Sequence, residues 1–207
     1  MEGTVANCPA YSRLMLMPEG TDPRVQGWIS IPVRDGKFSY DLYTDREEPY
    51  ELYAWSDNLQ GAWYPTSFFS ENGKIEIILH SSQAPEVYSD APLTKELLRF
   101  KQETDKLFFD SLREEREKLE KENKILTPAA LALQAEVEKA QNEEERKEIF
   151  QKMRQLDDDG KAYTEDYKVL EKKSQEVNGK YKNYEKEYIR SNPTIVGLYL
   201  LKQQIRR

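Results

Sequence analysis

Apolar and polar positions alternate through the first part of the chain. Ile29, Ile31 and Val33 keep a two-residue period, as do Phe38, Tyr40 and Leu42, then Tyr50, Leu52 and Ala54, then Ile75, Ile77 and Leu79. Such alternation, rich in β-branched and aromatic residues, marks strands with one buried face. Seven strands are predicted, near 3–7, 11–17, 25–33, 37–44, 49–56, 62–69 and 74–80. Asp35-Gly36 and Asn72-Gly73 are pairs that supply the positive φ angles of tight hairpins. No helical crossover separates the strands, so an antiparallel sandwich or partly closed barrel is expected over residues 1–89.

From Thr94 the period becomes helical. Leu93, Leu97, Phe100, Leu107, Phe108, Leu112, Leu119 and Leu126 mark one face of a helix near 94–126. Thr127-Pro128 should end it and cap the next, near 128–157, whose pattern slips across Gln141–Arg146. A third helix near 161–190 carries Tyr163, Tyr167, Leu170, Ser174, Val177, Tyr181, Tyr184 and Tyr188 at steps of four and three, the seam of side-by-side packing. Gly179 lies within it, at a cost of about 1 kcal/mol relative to alanine. Asn192 should cap a last helix near 193–207, with Pro193 in its first turn and Ile195, Leu198, Leu201 and Ile205 buried. Residues 90–207 therefore read as a long antiparallel helical hairpin or bundle, and the whole as an α+β protein.

Charge sharpens this division. The net charge is −7. Residues up to Tyr88 hold 6 basic against 13 acidic side chains, and the remainder balances. A pI near 5.1 disfavours nucleic acid, whose phosphates the chain would repel. The helical part has no basic surplus to attract anionic lipid, and no apolar run is long enough to span a bilayer. The Glu/Lys runs at 114–118 and 143–147 read as solvated faces with paired charges. A strand that begins almost at Met1, and a helical pattern still running at Arg206-Arg207, lead us to expect a piece of a longer protein.

Candidate chemistry is sparse. Cys8 is the one cysteine and His80 the one histidine, so an internal disulfide is excluded, as is a CxxC pair, and no cofactor is implied. All three tryptophans (Trp28, Trp55, Trp63) lie in the strand region, where Trp55, Trp63, Tyr64, Tyr43 and Tyr53 could form a stacking platform for glycan or peptide. Cross-strand and core packing is the leading reading of these aromatics. Asp157-Asp158-Asp159-Gly160 invites comparison with a calcium loop. With Gly160 at loop position six, Asp157 and Asp159 fall correctly, but Gln155 takes position one and the shorter Asp166 position twelve. We read the segment as an acidic helix-ending turn, not a metal site.

Short motifs carry a family resemblance. Gly3-Thr4-Val5, Arg13-Leu14-Met15-Leu16, Ile31-Pro32-Val33 before Asp35-Gly36-Lys37-Phe38-Ser39, Pro49-Tyr50-Glu51-Leu52 and Asn72-Gly73-Lys74-Ile75-Glu76-Ile77 follow one another in order. Asp90-Ala91-Pro92-Leu93-Thr94-Lys95-Glu96-Leu97 and Asn192-Pro193-Thr194 continue that order. The arrangement resembles the N-terminal domain of unknown function, with its helical continuation, of thioredoxin-like, alkyl-hydroperoxide-reductase-type lipoproteins of Bacteroidetes-type bacteria. The resemblance implies a non-catalytic accessory segment in the periplasm or at the outer membrane. Its partner would be a thioredoxin-like domain following Arg207, with a second copy or another protein docking through the helices. It also places the lipid-attachment cysteine upstream of Met1. The helical stretch here is longer than the family leads one to expect.

Overall fold

The computed structural model describes residues 1–6, 13–21, 27–55, 65–80 and 84–206, with backbone alone for Val5, Ala6, Ala54 and Trp55. The chain divides into two compact units, residues 1–102 with 188–207, and residues 103–187. The change from strand to helix near residue 90 is thus not where compactness divides the chain. The first unit keeps most of the first helix and all of the last.

The first unit is a two-sheet sandwich with helices on one outer face. One sheet has the order β4-β1-β7-β8, from β1 (Glu2–Ala6), β4 (Lys37–Ser39), β7 (Ile75–His80) and β8 (Glu86–Ser89). The other has the order β3-β2-β5-β6, from β2 (Arg13–Pro18), β3 (Ile29–Pro32), β5 (Pro49–Trp55) and β6 (Thr66–Phe69). Leu14, Leu16, Ile31, Tyr50, Leu52 and Phe68 of the second sheet meet Phe38, Ile75, Ile77 and Leu79 of the first to form the core. Strand β8 was too short and too mixed in polarity to be read from its pattern.

The sheets are not wholly antiparallel, as the sequence had led us to expect. Strand β1 runs parallel to β7, with Gly3 opposite Ile77. Hairpin reasoning constrains only consecutive strands, and these two lie more than sixty residues apart. Both expected hairpins are also revised. Arg34 and Lys37 exchange backbone hydrogen bonds of 2.9 Å around Asp35 and Gly36, whose φ angles of 51° and 70° suit the tight turn. The turn forms, yet β3 and β4 then diverge into different sheets. Asn72-Gly73 likewise joins strands of different sheets, β6 and β7.

Strand β2 explains the helical cover. Leu14, Met15, Leu16 and Met17 are all 0% exposed, so the strand is apolar on both faces. Its even positions enter the sandwich. Its odd ones share an outer face with Tyr53, Glu51 and Phe69, and that face requires a further layer. Helices α1 (Pro92–Thr104) and α6 (Ile195–Arg206) supply it. The Phe69 N–H donates to Thr94 Oγ1 at 3.0 Å, and the Phe69 ring meets Tyr199 edge-on at 5.6 Å. Glu71 accepts from the Leu93 and Thr94 N–H groups, serving the unsatisfied donors at the start of α1.

The second unit is helical. The single helix expected over 94–126 is instead α1, a π-helical turn at Asp105–Phe109, and α2 (Asp110–Lys121). The turn has a physical cause. At about 100° per residue, an unbroken α-helix would set Leu112 about 80° away from Thr104, and one extra residue brings it within about 20°. Both side chains are buried. The expansion leaves Leu107 58% exposed, against expectation, and lets the adjacent Phe108 and Phe109 both reach Tyr181 of α5 (Glu165–Ser191), at 6.0 and 5.2 Å.

Helix α2 stops at Lys121, five residues short of the expected end. Lys124 N–H donates to Leu119 C=O and Asn123 N–H to Glu120 C=O, with Asn123 at φ 52°. This is a Schellman end. Helices α3 (Pro128–Lys139) and α4 (Glu143–Asp158) pair as a hairpin, and their break falls at 140–142. A second Schellman end closes α4: Lys161 donates to Leu156 and Gly160 to Asp157, with Gly160 at φ 67°.

The two linkers so formed, Lys124-Ile125-Leu126-Thr127 and Lys161-Ala162-Tyr163-Thr164, face each other around an approximate two-fold axis. Leu126 bridges Tyr163; Thr127 N–H donates to Ala162 C=O at 3.0 Å and Thr164 N–H to Ile125 C=O at 3.1 Å. Each threonine hydroxyl also donates to the opposite lysine carbonyl and accepts from the first turn of its own helix. The expected three-helix arrangement is therefore two pairs, α2 with α5 and α3 with α4, joined at this junction.

Candidate functional site

The aromatic set is only partly brought into view. Trp63 and Tyr64 lie outside the described residues, as does Cys8, and for Trp55 only the backbone is described. Tyr43 is 87% exposed, on a stretch between strands. Tyr53 points to the opposite kind of environment: its hydroxyl donates to Glu51 Oε2 at 2.7 Å on the helix-covered face of the second sheet. Burial, then that hydrogen bond, hold the Tyr53 phenol well above the usual range.

His80 on β7 pairs with Glu86 Oε1 at 2.8 Å, and Tyr88 donates to the other oxygen of that carboxylate at 2.7 Å. The two hydrogen bonds, Tyr88 first, hold Glu86 below its ordinary range. Asp157 lies in the last turn of α4 and Asp159 is its C-cap, pairing with Lys161 at 3.1 Å. Asp166 lies in the first turn of α5. Among the described residues no group of three or more His, Cys, Asp or Glu is placed to hold a metal ion, and no helix is long and apolar enough to cross a membrane.

The site that the fold does build lies on α6. Its start differs from expectation: Thr194, not Asn192, accepts from the helix, its Oγ1 taking the Gly197 N–H at 3.2 Å. Asn192 instead donates from its side chain to Tyr188 C=O at 2.8 Å, closing α5. A Cβ at Gly197 would stand 2.2 Å from the Asn192 carbonyl oxygen, so only glycine lets the two helices turn this tightly. Thr194 Oγ1 and the Tyr188 hydroxyl both donate to Glu96 of α1 at 3.1 Å.

One face of α6 then buries Val196, Gly197, Tyr199 and Leu200. Its far end is held by a polar latch. Gln203 and Arg206 both donate to Glu19, in the turn after β2, and the Glu19 side chain is 4% exposed. Burial raises the Glu19 carboxyl above its ordinary value, against the pull of Arg206. Tyr199 is raised as well, by burial first, with Glu19 and Glu51 adding to the shift. Glu19, Glu51, Tyr53, Tyr199 and Gln203 gather at this end of α6, where Glu19 anchors Gln203 and Arg206.

Holding that face in place turns the other outward. Ile195, Leu198, Leu201 and Ile205 are 38%, 52%, 40% and 79% exposed. These are the residues whose spacing had predicted burial, so the expectation is reversed. The spacing correctly marked an apolar stripe, but α6 is apolar over most of its circumference, and Tyr199 won the contact with the sheet while Val196 was buried beside it. Sequence reading missed the latch entirely, because Glu19 and Arg206 are 187 residues apart and no pattern joins them.

The fold and this site define an α+β protein with a clamped, half-apolar last helix. No protein-family model, curated protein or solved structure matches the chain.

Proposed function

We propose that this chain is a non-catalytic accessory module that positions the thioredoxin-like domain of a larger thiol-disulfide protein of the cell envelope, in the periplasm or at the outer membrane. The observation that carries the reading is α6, locked on one face by Tyr199, Gly197 and the Glu19 latch, and offering four aliphatic side chains on the other. A helix held in this way is a docking element. The ordered motifs that resemble the accessory part of thioredoxin-like lipoproteins supply the context.

A disulfide-reduction assay on this chain, alone and joined to whatever its gene encodes beyond codon 207, tests the proposal. The joined protein should reduce disulfides, and the chain alone should not. A gene that encodes no CxxC-bearing domain there, or full activity from this chain by itself, would overturn it.

A further inference from the structure

We infer that the open side of the α2–α5 seam is a binding groove for a free α-amino acid with an apolar side chain. The groove lies wholly in the second unit and is independent of the α6 face.

The seam has two unlike sides. At about 100° per residue, Glu115 stands about 60° to one side of the buried Leu112, and Lys173 about 60° to the same side of the buried Leu170. There Lys173 and Glu115 pair across the helices and close the seam. On the other side no ion pair joins α2 to α5 among the described residues. A groove of about 330 Å³ opens there, at the lower end of the range for small-ligand sites. Its floor is apolar: Leu112 and Leu170 are buried, with Phe109 and Tyr167 half-buried beside them. The Tyr167 ring is stacked on Tyr163 at 4.9 Å, which fixes its place in the wall.

The rim is divided by charge. Arg113 and Arg116 stand on the α2 side, Glu171 and Ser174 on the α5 side. Arg116 engages Glu120 through Nε alone, at 3.1 Å, and Arg113 engages Asp110 and Asp105 through Nη2 alone, at 2.7 and 3.5 Å. These carboxylates hold the two guanidinium groups in place and leave their other N–H groups uncommitted among the described residues, both terminal nitrogens of Arg116 included. Glu171 has neither ion pair nor hydrogen bond among them. Spare guanidinium donors on one rim suit a carboxylate, and a bare carboxylate on the other suits an ammonium. Packed helices lie about 8–10 Å apart, axis to axis, so one short molecule spans from rim to rim. An α-amino acid carries both charges on a single carbon, and its side chain then meets the leucine floor. Asp105, Asp110 and Glu120 offset the arginine charges, so a ligand of no net charge suits this rim better than a simple anion.

Backbone amide NMR, with L-phenylalanine added to about 10 mM, tests this. Signals from residues 109–116 and 167–174 should shift and saturate, with a Kd of about 1 mM for so small a ligand in an open groove. N-acetyl-L-phenylalanine lacks the ammonium and L-phenylalaninamide the carboxylate, and each should bind about tenfold more weakly. Arg116→Gln should lose the preference for a free carboxylate, and Glu171→Gln the preference for a free ammonium, both with unchanged circular dichroism. Absence of a saturating shift with either L-phenylalanine or L-leucine overturns the inference. So do equal affinities for the blocked derivatives, shifts centred on other residues, or variants that keep both preferences. None of these outcomes bears on the disulfide-reduction assay, so the accessory role stands or falls separately.

Discussion

The two units of this chain are held together by different means. In the first, β2 is buried on both faces and a polar latch closes the helical layer over it. In the second, each helix buries one stripe and leaves the rest to water. Leu112, Ala130, Ile149 and Leu170 are the buried aliphatic side chains of its four helices. Around them, tyrosine hydroxyls donate to carboxylates, as Tyr184 does to Glu103 at 2.8 Å and Tyr181 to the buried Glu185 at 2.8 Å. Surface pairs such as Arg116 with Glu120 and Lys173 with Glu115 complete the lining. Such pairs contribute little individually. The difference teaches that aromatic side chains can serve an interior in one unit and a half-wet seam in the other.

The sharpest way to break this comparison is to remove one apolar side chain from each unit. Leu16→Ala should cost about 3 kcal/mol by denaturant unfolding, and Leu119→Ala, half-buried in α2, about 1 kcal/mol. Equal losses would mean that the helical unit has a core of the same kind.

Next in size is the π-helical turn. Deleting the exposed Leu107 should restore an α-helix and leave the melting temperature unchanged or higher, because Leu112 stays in phase with Thr104. Deleting the exposed Glu114 should rotate Leu119 by about 100° out of the seam and cost about 2 kcal/mol. If the two deletions behave alike in a thermal scan, the phase argument fails.

The junction comes third. Thr127→Ala and Thr164→Ala each remove an N-cap and a hydrogen bond across the linkers, and each should cost about 1 kcal/mol. Helical signal lost from one variant alone would show that the two linkers are not equivalent.

The smallest effect is one of sign. Burial raises Glu19 above its ordinary 4.5, so the folded state holds that proton more tightly than the unfolded state. Its contribution is present below 4.5 and is lost as pH rises through the raised value. Lys173 lowers Glu115, whose contribution is present above 4.5 and is lost as pH falls through the depressed value. Glu19→Gln should therefore raise the melting temperature near neutral pH, with the gain shrinking towards acid. Glu115→Gln should lower it slightly near neutral pH, that loss also shrinking towards acid. Melting curves in which the two variants shift in the same direction would sink the contrast.

Much of the architecture was legible from local pattern. Alternation at Ile75, Ile77 and Leu79 marked the buried face of β7, and Thr127-Pro128 marked the start of α3 with its cap. The tyrosine row of α5 lies on the half-buried face that its spacing indicated. Each of these depends on residues within one or two turns of each other. Strand pairing does not: the parallel partnership of β1 and β7, and the divergence of β3 and β4 after their tight turn, join segments with no local signal in common. The π-helical turn was present in the spacing, since Thr104, Phe108 and Leu112 step by four, but an α-helix was the simpler template. Of the candidate site, the apolar stripe of α6 was legible while its orientation was not.

By itself the sequence determined the strand and helix stretches, the apolar stripes and the caps, because propensity and periodicity act over a few residues. Only the tertiary structure decided which stripe of α6 met the sheet, which carboxylate closed over its end, and where the chain divides. Those outcomes depend on the outer face of β2 and β6 competing for cover, and that competition exists only once segments nearly two hundred residues apart have come together.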